Sequence, residues 1–258
     1  MKKISLSLTF VIILALLLQG AVFAALPGTG WQTSYAAMNI SGDAGSFSMI
    51  AYDKNSSSTY STQSFSVDPL ETLRYIAGAT PTYPSGDLIG FTTELPTGFE
   101  GSAVLSSTVP LTSAATLTNA GAVGGTAISR YQAISGEFLA NELLFPSVKH
   151  NYFNQTTTFY VQAAGADANV TMTYKMNDGS THTQSTTITA NKMFVFDPAN
   201  ATPPVASTSC GTDANTSPCF GAATVTSSTG QIAGVVIESV HTGSPAPFAL
   251  STRGLSAS

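Results

Sequence analysis

The sequence is written twice. A stretch that begins near Trp31 returns near Phe153: TSYAAMNISG at residues 33–42 lies over TTTFYVQAAG at 156–165, and Phe47, Ser48 and Met49 lie over Val170, Thr171 and Met172, both 123 residues on. The offset then drifts to 121, where VDPLETLRY at 67–75 lies over ITANKMFVF at 188–196, and FEGSA from Phe99 lies over FGAA from Phe220 with one residue deleted. A repeat of this length predicts two similar domains, not a solenoid of small units. It constrains architecture far more than activity.

The first residues predict where those domains work. Lys2 and Lys3 form a basic head, residues 10–18 make an apolar run too short for a stable membrane anchor, and Val22-Phe23-Ala24 has the small-x-small pattern of a cleavage site. Residues 1–24 are therefore expected to be a signal peptide, with the mature chain starting at Ala25. No cysteine follows the apolar run for lipid attachment, and the closing LSTRGLSAS resembles neither a membrane segment nor a sorting signal. The mature chain is expected to have no integral membrane anchor and to be secreted, extracellular or held at the cell surface.

Within each copy the period is two. Phe47, Met49 and Ala51 alternate with small polar residues, as do Val170, Met172 and Tyr174, which is the pattern of strands with one packed face. Asp178-Gly179 between two such runs signals a hairpin, and KNSS at 54–57 holds the same place in the first copy. Return strands are expected over 59–67 and 181–188, then over 73–76 and 193–196, 101–106 and 221–226, and 111–117 and 232–238. With opening strands at 34–39 and 157–162, each copy has six or seven short strands. The fold class is all-β, two tandem Ig-like β-sandwich domains after a cleaved signal peptide. The boundaries read 25–120 for the first sandwich, 121–142 for a structured connector and 143–258 for the second.

Composition agrees, with only 9% charged residues, a balance that suits half-buried strands better than charged helices. Loss of the leader takes two lysines and no acid, moving the formal charge from −5 to −7. So acidic a body has no basic cluster for nucleic acid or an anionic membrane. Cys210 and Cys219 are expected to form a disulfide in an oxidising compartment, since their spacing matches neither a CxxC pair nor a zinc site. No cofactor or metal is expected.

Two loops differ between the copies, residues 77–95 and 198–218. They read as tolerated insertions or as the place where recognition sits. In the connector, residues 128–134 suggest a turn or small strand. Residues 143–148 suggest an edge strand that another subunit could complete.

The run LLFPSVKHNYFNQTTTFYVQAAG, then VTMTY from Val170, then GAATVTSSTGQIAGVVIE, resembles tandem β-sandwich repeats of secreted cell-surface proteins of filamentous Chloroflexi-type bacteria. Such repeats combine an LP-L-x-KN opening, a W-x-T-S-x-x-V-Q-N strand and a GF-x-GSA-x-V closing strand. Here Gln162-Ala163 stands where they often carry Gln-Asn, and the cysteine loop is additional. The resemblance implies an envelope or surface protein and brings no catalytic residue set.

No nucleophile elbow, HExxH helix or phosphate-cradling glycine loop occurs. His150, His182 and His241 read as polar surface residues, and Asp87 and Asp213 lack a calcium-loop pattern. The catalytic set is therefore expected to be none. Trp31, Tyr35, Tyr83, Tyr152 and Phe153, with Tyr160, are the aromatics that could contact a ligand such as a sugar ring. The other reading has Trp31 and Phe153 plug the sandwich ends. The resulting expectation is a non-enzymatic exported structural or adhesive protein, partnered by other envelope proteins or by itself. A carbohydrate-binding module is the alternative.

Overall fold

Alternation of apolar and small polar residues gives strands almost throughout the computed structural model, which describes residues 19–23, 31–76, 88–119, 127–240 and 249–256. Among these residues there is no α-helix. The strands are β1 (Gln19–Phe23), β2 (Trp31–Asn39), β3 (Gly45–Asp53), β4 (Thr59–Ser61), β5 (Phe65–Val67), β6 (Thr72–Ile76), β7 (Gly101–Ser107), β8 (Leu111–Asn119) and β9 (Ala127–Gln132). They continue with β10 (Glu142–Tyr152), β11 (Gln155–Ala164), β12 (Ala168–Met176), β13 (Thr181–Ile188), β14 (Met193–Phe196), β15 (Phe220–Ser227), β16 (Gln231–Val240), β17 (Ala249–Arg253) and β18 (Leu255–Ser256).

The N-terminal half forms two sheets, ordered β1-β7-β3-β4 with β5 also on β3, and β6-β2-β8-β9. The C-terminal half forms one sheet, β13-β12-β15-β10-β11-β16-β17, with β14 on β11 and β18 on β10. That sheet folds into two layers because β10 turns a corner: its first part pairs with β15, its register breaks between Phe145 and Val148 around Pro146, and its last part makes a hairpin with β11. All neighbouring pairs are antiparallel. The pairing runs the same way in both halves: β2 sits between β6 and β8 as β11 sits between β14 and β16, and β7 sits between β1 and β3 as β15 sits between β10 and β12. The expected all-β sandwich is what the chain forms.

Gln19–Phe23, within the expected signal peptide, pairs in register with Gly101 to Leu105. The small strand expected within 128–134 forms as β9, which pairs along β8 as the fourth strand of its sheet. The edge expected at 143–148 is covered where it opens: Leu143 and Leu144 have β15 on one side and β18 on the other.

Two hydrophobic cores hold the layers. One contains Phe145, Val148, Phe159, Val161, Met172, Tyr174 and Ile232; the other contains Tyr35, Phe47, Met49, Leu73, Leu105 and Leu117, and extends to Tyr160, Met193, Val235 and Ile237. The β11–β16 layer is therefore buried on both faces, which explains its near-continuous apolar runs. A polar clasp fastens the halves: Ser102 Oγ donates to the carbonyl of Asn191 (2.5 Å) and Asn191 Nδ2 donates to the Tyr52 hydroxyl (3.3 Å), while Gln162 Nε2, from the same half as Asn191, also donates to that carbonyl (3.0 Å).

Register also corrects the alignment of the opening strands. Asn39 N donates to Glu71 O and Leu70 N to Asn39 O, as Ala163 N donates to Lys192 O and Asn191 N to Ala163 O. Asn39 thus stands where Ala163 stands, 124 residues apart and not 123. A slip of one residue exchanges the faces of a strand, so Tyr35 matches the buried Phe159 and not Thr158.

Candidate functional site

The loop end beyond β10 and β15 gathers most of the unusual local chemistry. At the tip of the β10–β11 hairpin Asn151, Phe153 and Asn154 all have positive φ, of 59°, 50° and 61°. Asparagine tolerates that conformation, whereas a bulky side chain is rarely found there. Phe153 is 63% exposed, and its ring rests edge-on against Tyr152 at 4.7 Å, which in turn stacks on Phe220 at 5.3 Å. An exposed ring on a strained turn, backed by two more rings, is a ready contact surface.

The loop at 198–218 braces this tip. Cys210 and Cys219 are disulfide-bonded, with Cα atoms 5.2 Å apart. Ser217 Oγ donates to Cys210 O (2.7 Å), and Asp213 accepts from Asn215 N (2.9 Å) to cap a 3-10 turn at Ala214–Thr216. The loop then reaches the hairpins: Asn151 Nδ2 donates to Ser207 O (2.9 Å), Tyr152 OH to Thr212 O (3.4 Å) and Asn177 Nδ2 to Ala214 O (2.6 Å). His150 Nδ1 meets Val205 O at 2.7 Å. Loop closure over this span contributes about 2–3 kcal/mol. The pair Cys210→Ser with Cys219→Ser is therefore expected to lose about that much in denaturant unfolding, with the amides of residues 207–217 losing hydrogen-exchange protection first.

Sequence reasoning missed a serine–histidine–aspartate cluster beside this loop. Ser180 Oγ lies 2.6 Å from Asp178 Oδ1 and 2.9 Å from His182 Nε2, while His182 Nδ1 lies 2.8 Å from Pro203 O. His182 is buried, not a surface residue as expected. Hydrogen bonds from the Ser180 side chain and backbone hold the Asp178 carboxyl below the usual carboxylate range. The order of contacts is not that of an acyl-transfer triad: the carboxylate meets the serine, and the histidine's other nitrogen faces a backbone carbonyl. The cluster ties the 177–180 turn to the 198–218 loop. Its only sequence signal is Asp178, Ser180 and His182 on alternate positions.

The other sequence candidates do not converge. Tyr35, Tyr152 and Tyr160 are buried, so they are core and not platform. Burial raises the hydroxyl pKa of Tyr35 and of Tyr160 far above the ordinary range. Phe153 is not a plug, and it does not hold the position of Trp31. Trp31 opens β2 opposite Asn119, but its side chain, Tyr83, Asp87 and His241 lie outside the described residues. Among the described residues no group of three or more His, Cys, Asp or Glu side chains could hold a metal ion, and no helix is long and apolar enough to cross a membrane.

The chain matches no protein-family model and no curated protein. Among solved structures, a protein of Parabacteroides distasonis taken to be secreted aligns over 86% of this chain and 76% of its own at 9% identity, with a TM-score of 0.20. A similarity of that size does not define a shared fold.

Proposed function

We propose that the chain is an exported surface protein of two repeated sandwiches that acts by contact, building or decorating the cell exterior, and that it is not an enzyme. The observation that carries this reading is the loop end: an exposed Phe153 ring held on a strained turn and braced by a disulfide loop. Its disulfide suits an oxidising compartment, and the resemblance to surface repeats of filamentous Chloroflexi-type bacteria points the same way. Asn151 and Asn154 lie in the same turn and supply uncharged polar groups beside the ring, so contacts there would be apolar and hydrogen-bonded. The test is fractionation of producing cells together with sedimentation of the purified mature chain. A chain found only in the medium and monomeric at high concentration sinks the structural reading.

A carbohydrate-binding module is the second reading, favoured by the same exposed ring, since sugar rings stack on aromatic faces. The variant Phe153→Asn is informative for both. Relief of the positive φ is expected to raise stability by roughly 0.5–1 kcal/mol, while adhesion or glycan-array signal falls. Glycan binding that survives this substitution removes the ring from the site.

A further inference from the structure

We infer that processing opens an edge of the N-terminal sandwich, which β7 of a second copy then closes to give a two-fold dimer; this rests on the reading that the chain is exported and cut after Ala24. In the full chain β1 runs antiparallel to β7, with Gln19 opposite Leu105, Ala21 opposite Ala103 and Phe23 opposite Gly101. All of β1 lies within residues 1–24. Cleavage therefore removes the strand entirely and leaves the backbone groups of β7 unpaired on that side.

β7 is not an expendable margin. Ala103 and Leu105 are fully buried in the core, and the matching slot in the other half stays filled: Leu143, Phe145 and Val148 of β10 stand opposite Val225, Ala223 and Gly221 of β15. Nothing in the expected processing removes β10. A buried-core strand left with a bare edge pairs readily with another chain.

The sequence of the leader strand indicates which chain. β1 reads QGAVF, and the first five residues of β7 read GSAVL. If two β7 strands pair antiparallel about a two-fold axis through Ala103, the second copy's Ala103 takes the place of Ala21, its Val104 that of Val22 and its Leu105 that of Phe23. Alanine and valine are retained and phenylalanine is exchanged for another large apolar residue, all in the same register and direction. The leader strand is thus a stand-in for the second copy. Pairing of this kind is isologous, so each edge satisfies the other and the assembly closes as a dimer.

The experiment uses residues 19–258 with a protease site inserted between Ala24 and Ala25, cut only after folding, so that the chain never has to fold without its strand. Analytical ultracentrifugation before and after cutting is expected to show a monomer whose mass doubles as the strand is released. The amides of residues 101–105 are expected to remain protected from hydrogen exchange in the dimer. A cut chain that stays monomeric, with or without the strand bound, overturns the inference, as does a dimer whose 101–105 amides exchange freely. Cut and uncut samples that associate alike also overturn it, yet leave the wider reading of self-association standing. Whether the chain is exported is read separately, from the cellular location of the processed form.

Discussion

Gly221→Ala is expected to lower stability by roughly 3 kcal/mol or more. A Cβ at Gly221 would stand 2.2 Å from Lys175 O and 2.7 Å from Met176 Cα. Both are backbone atoms of β12, so no side chain can swing away. Nor can β15 retreat, because Gly221 is paired to Met176 on one side and to Val148 on the other, next to the register break of β10. Gly101 opens β7 in the same way, with its would-be Cβ 2.1 Å from Tyr52 O. Two other glycines calibrate the measurement. Gly165 has open space but a φ of +71°, so alanine there costs about 1 kcal/mol. Gly42 has open space and no such φ, so alanine is neutral or stabilises by about 0.4–1 kcal/mol through the unfolded chain. Urea midpoints for Gly221→Ala, Gly165→Ala and Gly42→Ala should fall in that order. A Gly221→Ala midpoint no lower than that of Gly165→Ala removes the close crossing of β15 over β12.

The strands were legible because one face of most of them packs and the other is wet. Residues 181–188 and 193–196 fold as read, and the break between β4 and β5 within 59–67 is a local detour where Thr62 bridges to Phe91. Burial of both faces of the β11–β16 layer was not legible, since an apolar run does not say what lies on each side of it. The same ambiguity undid the aromatic platform. Tyr35, Tyr152 and Tyr160 are as good at filling a core as at holding a ligand, and only packing decides. Phe153 is exposed for a reason of backbone geometry: two flanking asparagines favour a turn with positive φ, and that turn throws the intervening ring outward. β1 was hidden because its residues also spell a cleavage signal. The one-residue slip between Tyr35 and Phe159 arose because threonines and serines align by composition while carrying no information about face.

Asn39→Ala is expected to cost roughly 3–5 kcal/mol, a large share of the 5–15 kcal/mol that typically holds a domain together. The side chain is fully buried and joins three segments. Its Nδ2 donates to Asp43 O (2.7 Å), Asp68 O (3.1 Å) and Val67 O (3.4 Å), and its Oδ1 accepts from Ser41 N (2.9 Å) and Ser41 Oγ (2.7 Å). Alanine leaves the Ser41 amide without its acceptor and takes a donor from the Asp43 and Asp68 carbonyls, which keep Ser41 Oγ and Glu71 N, and Asn39→Asp does no better, because it sets a carboxylate oxygen against three carbonyls. The C-terminal half solves the same problem with the polar residue moved. Ala163 stands at the position of Asn39, and the amide that matches Ser41 N, that of Gly165, is satisfied by Asn191 Oδ1 at 2.9 Å. Asn191 in turn matches Leu70, and both have positive φ, 62° and 63°. Leu70 is 70% exposed, so it contributes little packing where it stands. Leu70→Asn is therefore expected to stabilise the parent by about 1 kcal/mol through the backbone alone. In the Asn39→Ala background it should recover about 1 kcal/mol more, by accepting the orphaned Ser41 amide. The coupling is read from a double-mutant cycle by urea unfolding. Equal gains in the two backgrounds would show that the asparagine relieves strain but does not exchange places with its counterpart.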